Sequence, residues 1–389
     1  MGAKKYAYVN YKMLVWARSE TPFGTTSDVA NHISGFRSEV IDKWERGEEL
    51  PSITEAKKLA NLYKVPFATF YLSNPPEKKT KAYTDRRTYN DTVYRETSYE
   101  LWSEIGRITG NRQIIVNLSD DTEYRSLPSV GPKLSEKQIA DVIRKYFELD
   151  LPFKNKSAYR NNGFNYYRAL LEHYGIMVAQ ITGVSLSEMR GISMYYDTFP
   201  IIAINNKDFE RAKVFSLFHE VAHLVRRSSS LCLIDFDERN DEEEKICDRI
   251  AAEVLMPEES FRYVSSNALN LYGDWSCLIS IADKYAVSTF SVVRRLRELD
   301  IINGSDYYSI YKRISDSFKE EQDSIIQNKK DREFKVKYYI TYLSKEGYLF
   351  PKKVLSAYSR GDISYGEMCS TLSIKGKHIS NIERAVMFI

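Results

Sequence analysis

Three residues within one apolar stretch could do chemistry together. Val214-Phe-Ser-Leu-Phe-His-Glu-Val-Ala-His-Leu-Val225 carries His219, Glu220 and His223 in the order H-E-x-x-H. The spacing predicts a helix. At about 3.6 residues per turn, positions four apart share a face, so the two imidazoles converge on one point above it. A zinc ion accepts two such nitrogens, and a Glu directly after the first His lies beside the metal, where it can take a proton from activated water. Val214, Phe215, Leu217, Phe218, Val221, Ala222, Leu224 and Val225 make the rest of the helix apolar. A polar trio in that setting is costly unless satisfied, and a bound metal satisfies it. The competing reading is a chance match, or core histidines bonded to backbone carbonyls.

A catalytic zinc needs a third protein ligand. Asp241-Glu-Glu-Glu-Lys-Ile-Cys-Asp-Arg-Ile-Ala-Ala-Glu-Val-Leu-Met-Pro257 predicts a second helix, on which Glu244, Asp248, Ala251 and Leu255 share a face. The small Ala251 and Ala252 allow close approach to the first helix, and Pro257 stops the run. Glu244 is the expected third ligand, with Glu243 its competitor in the acidic run. Asp248, one turn on, is a candidate to orient a ligating His through its other ring nitrogen, or else a solvated charge.

These two stretches resemble the ImmA/IrrE-type zinc metallopeptidases. Arg211-Ala-Lys-Val-Phe-Ser-Leu-Phe-His-Glu-Val-Ala-His is similar to that family's r-x-x-F-t-l-x-H-E-x-x-H, and Glu244 to Pro257 to its E-x-x-A-n-x-F-A-A-x-x-L-M-P. The second match singles out Glu244. Cys247, Asp248 and Ile250 depart from the usual Ala, Asn and Phe, and none of them removes a ligand. The resemblance implies a zincin-like peptidase domain with a protein substrate, expected to be a helix-turn-helix repressor cut at a defined loop. The chain would then act as an antirepressor.

The remaining elements must position this site. With 389 residues, two or three cores are possible, and the net charge of +3 makes no global case for nucleic acid or membrane. Cys232, Cys247, Cys277 and Cys369 are far apart with no C-x-x-C, as in a reducing compartment. The start Met1-Gly-Ala-Lys-Lys-Tyr lacks an apolar signal, and no apolar run reaches membrane-spanning length, so a cytoplasmic chain with no membrane partner is expected. Nothing in the sequence signals an oligomeric state.

Residues 1–73 read as a helical module: Met13–Arg18, Thr25–Ile33, Arg37–Gly47 and Ile53–Tyr63, with Ser34-Gly35 as the turn between the second and third helices. Trp44-Glu-Arg-Gly47 followed by Pro51 resembles the lambda-repressor-like (XRE) helix-turn-helix. In that module the helix from Arg37 would enter the major groove of double-stranded DNA, with Arg37, Ser38 and Lys43 as the contacts. Glu39, Asp42, Glu45, Glu48 and Glu49 would repel phosphates, which favours protein docking as the alternative.

Residues 74–134 read as a Pro- and Lys-rich linker, with Asp85-Arg86-Arg87, a helix over Thr97–Val116 and a loop at Asn117–Thr122. A peptidase-like region spans 135–313. Within it, helices around Ile139–Phe147 and Phe164–His173 precede strands at Gly175–Gln180, Gly191–Tyr196 and Pro200–Ile204, the last two joined by a turn at Asp197-Thr-Phe199. An edge strand of this sheet is expected to pair with an extended substrate peptide. Phe261–Trp275 shows no pattern. Ile279–Leu299 reads as two helices broken near Ala286-Val-Ser288, with Arg294, Arg295 and Arg297 as scaffold. Residues 314–389 read as a charged hinge and a helical extension. The expected class is α+β, mostly α: a helical module, a peptidase domain with a small sheet, and a helical tail.

Overall fold

A computed structural model describes residues 5–76, 97–119, 126–131, 133–149, 163–227, 230–232, 241–266, 275–329 and 337–387. The expected features at Asp85-Arg86-Arg87 lie outside these residues, as does most of the Lys-rich linker. The chain divides into two compact units, Met1–Arg107 and Ile108–Ile389.

The first unit opens with α1 (Tyr11–Ser19), α2 (Thr26–His32), α3 (Ser38–Glu45) and α4 (Ile53–Leu62), followed by a short 3-10 turn at Phe67–Tyr71. Local chemistry sets their starts. Thr25 and Ser52 each accept a bond from the backbone three residues on, and Asp28 and Glu55 return it in reciprocal caps. Met13, Leu14, Val29, Ile41, Trp44, Leu59 and Phe70 form one core, so Trp44 is a packing residue. The long helix α5 (Tyr99–Leu118) contains the division between the units. It includes Asn117 and Leu118, where a loop is expected from the polar residues. The polar tail continues the helix because nothing there breaks it: the first Pro beyond is Pro128.

The second unit is built on a four-stranded sheet of order β1-β3-β2-β4, with β1 (Met177–Ile181), β2 (Gly191–Met194), β3 (Ile201–Asn205) and β4 (Ser230–Cys232). β1 runs parallel to β3, whereas β2 is antiparallel to both β3 and β4. The β2–β3 turn places Phe199 in the left-handed region at φ 52°. Arg112 of α5 fastens this turn, donating to the carbonyls of Thr198 at 2.7 Å and Phe199 at 3.0 Å. Of helices α6 (Glu136–Tyr146), α7 (Gly163–His173), α8 (Glu210–Val225) and α9 (Asp241–Leu255), α7 and α8 pack on the sheet, α9 on α8 and α6 on α9, and every residue from Leu217 to Val225 is buried. Two cross-ties lock α6 to α9: Arg144 donates to Val254 O at 3.0 Å and Arg249 to Glu136 at 2.9 Å.

Of the stretch Phe261–Trp275, patternless in the sequence, residues 261–266 belong to α10 (Glu258–Ser266) and 267–274 lie outside the described residues. This helix buries only Phe261 and Ser265 of its nine residues, too narrow a stripe for periodicity to reveal. Then follow α11 (Trp275–Tyr285), α12 (Thr289–Glu298) and the long charged α13 (Gly304–Lys329). Among the described residues no single helix is long and apolar enough to cross a membrane.

Helices α14 (Tyr338–Glu346), α15 (Leu349–Arg360), α16 (Tyr365–Thr371) and α17 (Ile379–Met387) complete the unit, with the His378 ring tilted against Tyr338 at a centroid distance of 4.4 Å. Both α14 and α15 pack on β1. Fully buried Arg168 of α7 is the fastener: it donates to Val178 O on the outer edge of β1, and to Leu343 O and Ser344 O at the end of α14. Gln180 adds a bond to Ser344 O at 3.0 Å. Gly347 then turns the chain at φ +83°, and a Cβ there would lie 2.1 Å from Glu172 Oε1. Only glycine fits both constraints. Glu172 accepts the Tyr348 backbone N–H at 2.9 Å, and burial raises its carboxyl from 4.5 to about 7 despite the nearby Arg168 guanidinium and the backbone donors.

That shift has a definite sign. The folded state keeps a proton that the unfolded chain releases, so stability present below about pH 4.5 is lost as pH rises through about 7. The loss is on the order of 3 kcal/mol. Glu172→Gln should flatten this slope while keeping an acceptor for Tyr348, read by chemical unfolding at pH 5 and pH 8. Parallel slopes in the two proteins would rule Glu172 out as the source.

Candidate metal centre

α8 and α9 lie against each other, with Ala251 and Ala252 buried, as their size predicts. Their facing side chains gather three donor groups. His219 Nε2 lies 2.9 Å from Glu244 Oε2, His223 Nε2 lies 3.4 Å from Glu244 Oε1, and the two Nε2 atoms are 3.1 Å apart. A tetrahedral ion with bonds of about 2.0–2.1 Å separates its ligands by roughly 3.3 Å, so this triangle is the size of one face of such a coordination sphere. The donor set therefore fits a tetrahedral metal with one position open.

The electrostatics agree. Burial opposes charge on His219, yet the carboxylates of Asp248 and Glu244 push its imidazole up to about 10. Burial likewise works against ionised Glu244, but the two imidazoles hold its carboxyl well below the usual range. A cation is thus already favoured at this point, and a metal entering there would displace a proton.

Glu243 gathers with His223 and Cys247 in a second cluster of possible ligand atoms. Arg226, just past α8, donates to both of its oxygens at 2.8 and 2.7 Å, which leaves Glu244 as the carboxylate facing the imidazoles. Cys247 Sγ sits 3.5 Å from His223 Nδ1, on the side of the ring away from the donor triangle, so it does not close the site with a fourth ligand. Burial pushes its thiol up. Asp248 Oδ1 lies 2.9 Å from His219 Nδ1, the position expected of an orienting partner.

Glu220 is 1% exposed and its carboxylate lies against Gly191, the first residue of β2. A Cβ on Gly191 would come within 2.5 Å of Glu220 Oε1. Sequence reading passed over this residue, although a glycine inside a strand pattern signals close approach of another group. Arg294, read as scaffold, also reaches the site: it lies 2.6 Å from Asp248 Oδ2. Its neighbours do serve the framework, since Arg295 pairs with Glu253 and donates to Met256 O, and Arg297 pairs with Asp300.

Residues 172–297 match the family model described as Peptidase_M78, IrrE N-terminal-like domain. The matched IrrE-like span holds Gly191, His219, Glu220, His223, Glu244, Asp248 and Arg294, and the family is one of peptidases. No curated protein matches the chain. The first unit lies outside the IrrE-like span. There Arg37 is exposed at the N-cap of α3 and Ser38 is its first residue, while Lys43 is held by Glu49 at 2.6 Å. Arg18 pairs with Glu45 and Arg46 with Glu48, both at 2.8 Å. These cations already have carboxylate partners.

Proposed function

We propose that the chain is a zinc-dependent, site-specific endopeptidase. The observation that carries this reading is the convergence of His219, His223 and Glu244 on one point beside Glu220, within a span matched to a peptidase family. The two imidazole Nε2 atoms and the Glu244 carboxylate would hold the ion. Bound zinc supplies Lewis acidity, which brings the pKa of water toward neutrality and polarises a carbonyl. Glu220 takes the proton of the attacking water at a carboxylate oxygen and returns it to the leaving amine. Asp248 keeps the His219 ring turned toward the ion.

The substrate is an extended protein segment. Among the described residues, Arg168 and residues 343–348 close the outer edge of β1, and β4 is the other edge of the sheet, the one this reading assigns to strand pairing. From the family resemblance, the target is a helix-turn-helix repressor, and the chain is an antirepressor acting in a reducing compartment. In this reading the N-terminal lambda-repressor-like module serves protein docking rather than DNA recognition, because Glu39, Asp42, Glu45, Glu48 and Glu49 on and beside α3 would repel phosphates.

Calorimetric titration of zinc into metal-stripped protein tests the centre. One equivalent should bind, and Glu244→Ala should weaken binding by more than about 100-fold, beyond the cost of losing an outer partner. Wild-type affinity in the Glu244→Ala chain would remove Glu244 from the ligand set. No binding to the wild type would remove the metal.

A further inference from the structure

We propose that Arg294 is a positioning residue for the metal centre, acting through Asp248 on His219. This rests on the metal reading above. The contacts form one chain across three helices. From α12 the Arg294 guanidinium meets Asp248 Oδ2 at 2.6 Å, and from α9 the other oxygen, Oδ1, meets His219 Nδ1 at 2.9 Å. His219 Nε2, on the far side of the ring, then faces Glu244 and His223.

Each link removes one freedom. A carboxylate bound through one oxygen can still swing about its terminal torsion, which is broad and roughly two-fold. Binding the second oxygen to a guanidinium fixes its plane, and the imidazole it contacts inherits that orientation. The Asp248 side chain is only 23% exposed, so solvent is a poor substitute for the guanidinium. Arg294 is itself steadied by Glu298, one turn on in α12, at 3.3 Å. The aim of His219 therefore depends on a remote helix, and α12 belongs to the metal centre.

The test uses the full chain labelled with 15N-histidine. With five histidines in the sequence, the ring nitrogens can be resolved one by one. In metal-free protein, Arg294→Gln should shift the His219 ring resonances and leave those of His32, His173 and His378 in place, with Arg294→Lys restoring most of the wild-type signal. Zinc affinity, measured by chelator competition, should fall about tenfold in Arg294→Gln, within the range for loss of an outer partner. Asp248→Asn combined with Arg294→Gln should lose no more than Asp248→Asn alone, because both changes cut one chain. Unmoved His219 resonances in Arg294→Gln would overturn the proposal. So would losses that add in the double variant, which would mean that Arg294 acts by another route. A wild-type chain that binds no zinc would overturn the metal reading instead, and the His219 resonances would then decide the relay alone.

Discussion

Glu220→Gln is expected to leave zinc binding intact while slowing peptide-bond hydrolysis by about 10²–10⁴-fold, the range of a general base. The two consequences separate because Glu220 is not one of the three converging donors. Gln keeps the shape and one acceptor oxygen but cannot take a proton at neutral pH. The side chain is almost fully buried between α8 and β2, so an isosteric change disturbs packing least. Turnover of a cleavable protein substrate and zinc stoichiometry should be read on the same preparation. A variant that cuts at the wild-type rate would show that another group handles the proton.

Gly191→Ala should reproduce much of that loss without touching a charged residue. The added methyl would meet Glu220 Oε1 at 2.5 Å, Cγ at 3.1 Å and Cδ at 3.2 Å, so the whole side chain has to move. The backbone of α8 cannot yield, since its neighbours Leu217, Phe218, Val221 and Ala222 are fully buried. The carboxylate is displaced instead, and a shift of about 1 Å at a reacting group costs on the order of 10²-fold. Zinc affinity should hold, because His219, His223 and Glu244 are elsewhere. Since both changes act on one proton transfer, Gly191→Ala added to Glu220→Gln should cost little more than Glu220→Gln alone. Unchanged turnover in Gly191→Ala would show that Glu220 works from another rotamer.

What could be read without coordinates is what depends on near neighbours in the chain. The α8 histidine pair is legible because residues four apart must share a helical face. The same periodicity places Glu244 and Asp248 on one face of α9. Strands β1, β2 and β3 are read close to their observed limits, since β-branched runs between turns need little context. Where the reading stopped, the deciding contact is distant. Glu243 and Glu244 are chemically identical, and the approach of Arg226 to Glu243 is a contact between elements that spacing does not show. The importance of Gly191 comes from a side chain 29 positions away, and Asp248 depends on a guanidinium 46 positions away. The tail reads as a helical extension from composition. Its attachment to β1 rests on Arg168, which reaches carbonyls 175 and 176 residues further along. Local spacing settles which residues share a face of one element. How two elements are rotated against each other is settled by the burial they achieve together, which no short window of sequence contains.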